Sequence, residues 1–85
     1  MKLRLKYFAS IAEQLGMRAE EIELPEGVST VAALRAHLRA RGGAWAAALA
    51  EGKTVRASVN LDMAQPATAV RGGDEVAFFP PVTGG

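Results

Sequence analysis

Leu3, Leu5 and Tyr7 alternate with Lys2, Arg4 and Lys6 at the start of the chain, and this strict period of two is the strongest constraint on the fold. A strand sends successive side chains to opposite faces, so the segment has one apolar and one cationic face and reads as a half-buried strand. Something must cover the apolar face. With 85 residues the covering layer comes from the same small domain, since domains run upward from ~50 residues. At this size roughly 60–65% of the unfolded surface is buried, which makes one modest core.

The rest of the chain supplies the other layers. Ser10-Ile11-Ala12-Glu13 matches a capping box and predicts a short helix closed by Gly16 in a left-handed conformation. Glu20 to Leu24 alternates again, with Ile22 and Leu24 inward, and Pro25-Glu26-Gly27 is turn chemistry. Ser29 or Thr30 caps the main helix, whose apolar stripe is Val31, Leu34 and Leu38; Arg35, Arg39 and Arg41 mark its wet sides and Gly42-Gly43 ends it. Ala44 to Ala50 predicts a second short helix carrying Trp45 and Leu49. Val55, Ala57 and Val59 alternate with Arg56, Ser58 and Asn60 in a third strand. Leu61 to Arg71 is irregular, with a short edge strand near Thr68 to Val70. Gly72-Gly73-Asp74 is a turn before a last strand, Glu75 to Phe79. Strand, strand, helix, strand, strand is an α+β order, a mixed sheet with one main helix packed on one face. Residues 1–79 are expected to form the domain and residues 80–85 a flexible tail.

Composition removes several functions. Ten Lys and Arg against nine Asp and Glu give net +1, too balanced for a nucleic-acid or acidic-membrane binder. Cysteine is absent, so no disulfide or thiolate metal site forms, and any sulfur chemistry uses something other than a side-chain thiol. The longest apolar runs fall far short of the ~20 residues that span a bilayer, and the N-terminus has no signal-peptide pattern. The expected location is the cytoplasm. His37 is the single histidine, with no second soft ligand to complete a metal site. Asp74 and Glu75, adjacent at the start of a strand, diverge and read as turn chemistry rather than an acid–base pair. Gly72-Gly73 lacks the longer glycine pattern of a phosphate loop.

The tail Pro80-Pro81-Val82-Thr83-Gly84-Gly85 is the most unusual segment. Two prolines favour an extended, stiff backbone, and six residues reach at most ~20 Å from the last strand. Gly84 and Gly85 carry no Cβ, so the terminus can thread a narrow channel. A C-terminal carboxyl has a pKa of about 3.3–3.7 and is ionised at neutral pH, able to attack an activated phosphate such as the α-phosphate of ATP. Two specified consecutive glycines arise by chance about once in two hundred chains at ~7% glycine usage. A final strand, stiff prolines and a terminal Gly-Gly together are far more specific.

Asp74-Glu75-Val76-Ala77-Phe78-Phe79-Pro80-Pro81-Val82-Thr83-Gly84-Gly85 resembles the C-terminal signature of the molybdopterin synthase small subunit, the MoaD type of the MoaD/ThiS ubiquitin-like family. Leu5-Lys6-Tyr7-Phe8-Ala9, the helix start Thr30-Val31-Ala32-Ala33-Leu34-Arg35 and Val59-Asn60 are also similar to that family. The resemblance implies a ubiquitin-like β-grasp fold with the first and last strands central and parallel. It implies a sulfur carrier that works as a non-catalytic subunit of a heterotetrameric sulfurtransferase and binds no cofactor of its own. An E1-like adenylyltransferase (the MoeB type) would use ATP and magnesium to adenylate Gly85, and a sulfur donor protein would convert the adenylate to a thiocarboxylate. The tail would then enter the large synthase subunit (the MoaE type) and deliver sulfur to cyclic pyranopterin monophosphate. Gly85 carries the activated group; Gly84, Thr83, Val82, Pro81 and Pro80 thread it.

Parity adds a docking surface. Phe8 follows Tyr7 and Phe79 follows Phe78, so both should face away from the core, and parallel neighbouring strands would bring them together at the exit of the tail. Three other functions stay open on the residues alone: a carrier for thiamine or another thio-cofactor, a modifier conjugated to lysines, and a passive structural interaction domain. One of Arg35, Arg39 and Arg41 could also serve docking, because arginine is favoured at interfaces.

Overall fold

A computed structural model describes residues 1–81. In chain order the elements are β1 (Lys2–Tyr7), α1 (Ala9–Leu15), β2 (Ala19–Glu23), α2 (Val31–Arg39), α3 (Gly43–Ala48), β3 (Arg56–Val59), β4 (Asp62–Ala64) and β5 (Glu75–Phe79). The strands form one sheet in the order β2-β1-β5-β3-β4. The central strands β1 and β5 run parallel, with Leu5 opposite Val76 and Tyr7 opposite Phe78, and the other pairs are antiparallel. Parallel neighbours need a long crossover, and the chain between them supplies it with all three helices and the remaining strands. This is the β-grasp arrangement.

The alternation in β1 does what its pattern requires: Leu3, Leu5 and Tyr7 are buried and Lys2, Arg4 and Lys6 exposed. Val76 and Phe78 of β5, Ala57 of β3 and the stripe Val31, Leu34 and Leu38 of α2 complete the core with Ile11 and Leu49. Thr30 caps α2 by accepting from the Ala33 amide at 3.1 Å. The next donors are met by the irregular segment: Val31 N–H donates to the Thr68 carbonyl and Ala32 N–H to the Pro66 carbonyl. Residues 65–70 therefore satisfy helix-end amides that would otherwise be orphaned.

Four expectations are corrected. Ser10 does not open α1; Phe8 is its N-cap, without a side-chain cap bond, because the Phe8 carbonyl already accepts from Ala12 as the strand ends. The edge strand is Asp62–Ala64 rather than Thr68 to Val70, of which only Ala69 makes an isolated bridge, to Thr30. Asn60 and Leu61 both have positive φ, 50° and 73°, and make a two-residue hairpin loop between β3 and β4. Such loops usually announce themselves by a glycine. Ser58, expected outside, is buried. Finally, Arg35 is no surface ornament: it donates to the carbonyls of Leu49 and Lys53 at 2.9 Å each, and to that of Ala50, closing the C-terminal end of α3.

Candidate functional site

The site grows from the shared end of β1 and β5. Tyr7 and Phe78 face each other across the parallel pair and their rings stack 6.5 Å apart. One residue on, the Phe8 amide donates to the Phe78 carbonyl at 3.1 Å, and Phe8 keeps an extended backbone. The alternation thus carries Phe8 and Phe79 together onto the sheet face opposite the helices. Phe8 is 48% exposed. Phe79 is half-buried rather than fully exposed, because its strand is flanked on both sides, with Arg56 opposite it on β3.

The register across this open face defines the rest of the surface. Lys6, Ala77, Ser58 and Met63 fall in one row over four strands. Ala77 and Ser58 are small and buried between longer neighbours, so they form a shallow floor. Met63 bounds it at the β4 edge with 62% of its surface exposed. Sequence reasoning missed Met63 because it depends on the hairpin at Asn60-Leu61. Polarity gives no sign of it, but two-residue spacing from Leu61 would have been the signal.

Tyr7 is held on the core side by a polar network. Its hydroxyl donates to Glu20 at 2.8 Å, and Arg41 grips the same carboxylate with both terminal nitrogens, at 2.8 and 3.2 Å. The Arg41 guanidinium also lies 4.3 Å over the Trp45 ring, and Trp45 meets Tyr7 edge to face at 5.4 Å. Burial first, then the hydrogen bond to Glu20, push the Tyr7 phenol far above its ordinary range. Burial alone would raise the Glu20 carboxyl; hydrogen bonds from Arg41 and Tyr7 outweigh it and hold Glu20 below its usual range. A fixed Tyr7 fixes the direction in which Phe8 leaves the strand.

Pro80 and Pro81 continue from β5 without regular structure, half-buried. Val82, Thr83, Gly84 and Gly85, expected to thread and carry the reacting carboxylate, lie outside the described residues. A cleft next to Phe8 is lined by Lys6, Ala12, Glu13, Met17 and Arg18 among others.

The ThiS family model matches residues 5–85. This chain belongs to the ThiS family. Two curated relatives bear the name molybdopterin synthase sulfur carrier subunit. The Haemophilus influenzae protein is 43% identical over 83 residues, 98% of this chain and 99% of the relative. The Escherichia coli protein is 42% identical over the same shares. Among solved structures, SAMP1 of Haloferax volcanii covers both chains completely with a TM-score of 0.71 and 30% identity. Within this ThiS-family chain His37 is exposed on α2. Among the described residues no three His, Cys, Asp or Glu side chains group as metal ligands, and no helix is long and apolar enough to cross a membrane.

Proposed function

We propose that this chain is the sulfur carrier subunit of a molybdopterin synthase, with the Gly85 carboxylate as its working group. The observation that carries the reading is near-complete correspondence, at 42–43% identity, with two proteins of that name, together with the Gly84-Gly85 motif. The chemistry proceeds in three steps. The Gly85 carboxylate attacks the α-phosphate of ATP, with magnesium, on an E1-like adenylyltransferase, forming an acyl-adenylate and releasing pyrophosphate. Sulfide-level sulfur supplied by a sulfur donor protein then attacks the acyl carbon and displaces AMP, leaving a thiocarboxylate. The tail next enters the large synthase subunit and gives its sulfur to cyclic pyranopterin monophosphate; water hydrolyses the acyl–sulfur bond and the tail returns as a carboxylate. The carrier contributes reach, a narrow Gly-Gly end and a docking face; the catalytic groups belong to its partners.

Phe8, Phe79 and Met63 are the apolar heart of that docking face. They surround the small floor of Ala77 and Ser58 where the tail leaves, and a monomer gains nothing by exposing aromatic surface there.

The test exploits the missing cysteine. A thiol-selective alkylating reagent has no side-chain target in this chain, so a single adduct on the C-terminal peptide after incubation with activating enzyme, ATP and sulfur donor reports the thiocarboxylate. Extension by one alanine after Gly85 should abolish both the adduct and synthase turnover while leaving the unfolding midpoint unchanged. Undiminished turnover by the extended chain would refute the reading.

A further inference from the structure

Most cations of this molecule have a partner already; among the described residues Arg18, Lys53, Arg56 and Arg71 have no ion pair or side-chain hydrogen bond. On the helical side the partnered ones are consumed internally: Arg35 by three carbonyls, Arg39 by Glu51 at 3.2 Å, and Arg41 by Glu20. At the far end of the open face Lys2 and Arg4 have carboxylates within 4 Å, Glu21 and Glu75. The end where the tail leaves is different. Arg56 sits opposite Phe79 in the register, is exposed, and makes no ion pair or side-chain hydrogen bond among the described residues. Arg18 lines the cleft beside Phe8 together with Lys6, is likewise exposed and likewise unpaired among the described residues. Lys6 shares Glu75 with Arg4, at 3.6 Å. The one carboxylate in that cleft lining is Glu13. Phe8 and Phe79 are thus flanked by cations on the open face, Arg56 on one side and Lys6 on the other, while Arg18, opposite Tyr7, reaches the Phe8 cleft from the helical side.

We infer that this arrangement selects a partner protein whose docking face is acidic around an apolar socket, with Arg56 as the principal charge reader. Exposed cations around an apolar centre steer diffusional encounter and fix register. Apolar burial of the rings then governs how long the complex lives. The inference rests on the docking face proposed above and adds the chemistry of the surface it meets.

The test measures association and dissociation rates of the full chain with its large synthase subunit across a salt series. Arg56→Glu should slow association about tenfold at low salt, within the 10–10³ range of electrostatic steering. The difference should vanish near 1 M salt, where the Debye length is about 3 Å. Arg71→Glu makes the same charge change at the opposite end of the sheet and should leave association near the wild-type rate. Phe79→Ala should speed dissociation without altering the salt slope. Wild-type association by Arg56→Glu, or equal slowing by Arg71→Glu, would overturn the charge-reading role. Wild-type dissociation by both Phe79→Ala and Phe8→Ala would instead overturn the docking face itself.

Discussion

Phe78 and Phe79 are adjacent, chemically identical and on the same central strand, yet their truncations should have opposite consequences. Phe78 is 1% exposed and stacks on Tyr7, so Phe78→Ala removes a ring from the middle of the core. Such substitutions cost about 3–5 kcal/mol. A domain this size is stable by about 4–13 kcal/mol, at 0.05–0.15 kcal/mol per residue, so Phe78→Ala should remove from about a quarter of that stability to all of it. Phe79 is half-buried on the open face. Full burial of such a ring is worth about 1.5–3 kcal/mol, so half is about 1 kcal/mol, with no enclosed cavity left behind. The remaining half is available to a partner, about another 1 kcal/mol, or roughly fivefold in Kd. Urea unfolding gives the first quantity and titration calorimetry with the large synthase subunit the second. Equal loss of stability in the two variants, with binding by Phe79→Ala unchanged, would refute the parity assignment and with it the docking face.

Glu20→Gln should cost about 1–3 kcal/mol at neutral pH, because Arg41 and Tyr7 lose a charged hydrogen-bond acceptor. The Glu20 pKa is depressed in the fold, so its contribution is fully present above the unfolded value of about 4.3 and is lost as pH falls through the folded value. Acid titrations of the two proteins followed by circular dichroism should therefore draw together progressively as pH falls below the unfolded value of about 4.3; a constant gap would contradict the assignment. Arg35→Met keeps the apolar stem but strips the donor from three carbonyls, and should lower the unfolding free energy by about 1–3 kcal/mol. Arg56→Gln, by contrast, should stay within about ±0.5 kcal/mol. Equal urea midpoints for the two arginine variants would reject the capping role of Arg35.

Much of the fold was legible because it follows from periodicity. Alternation at Leu3, Leu5 and Tyr7 and the stripe at Val31, Leu34 and Leu38 both specify a buried face, and both faces are buried. What was not legible depends on contacts distant in sequence. Asn60 accepts a left-handed backbone readily, but here it is held there from elsewhere. Its side-chain amide donates to Asp74 at 2.9 Å and its carbonyl oxygen accepts from the Glu75 amide at 3.0 Å. The hairpin that puts Met63 on the open face is thus fixed by residues fourteen and fifteen positions away. Arg35 looked solvated for the same reason, since its three acceptors lie on a segment that helix periodicity cannot place beside it. Phe8 and Phe79 were reachable from alternation plus the parallel pairing that the family resemblance implied; alternation alone could not have brought them together.

That pairing also explains why a carrier would emit its tail from β5 rather than from an edge. A terminus that must place one carboxylate inside another protein works only if its reach is measured from a fixed point. β5 is held on one side by β1 and on the other by β3, with Tyr7 and Arg56 opposite its last two residues. The Phe8 amide adds a bond to the Phe78 carbonyl. Fraying of that end would require breaking both ladders at once, whereas an edge strand such as β4 has one. The Glu20–Arg41–Trp45 network braces Tyr7 from behind, so the anchor resists movement across the sheet as well as along it. The at most ~20 Å that six extended residues can span is therefore counted from a rigid origin, next to the proposed docking face. On the proposed function, reach and docking would share one geometric reference, and a small carrier could then deliver its end group to a set depth in a larger subunit.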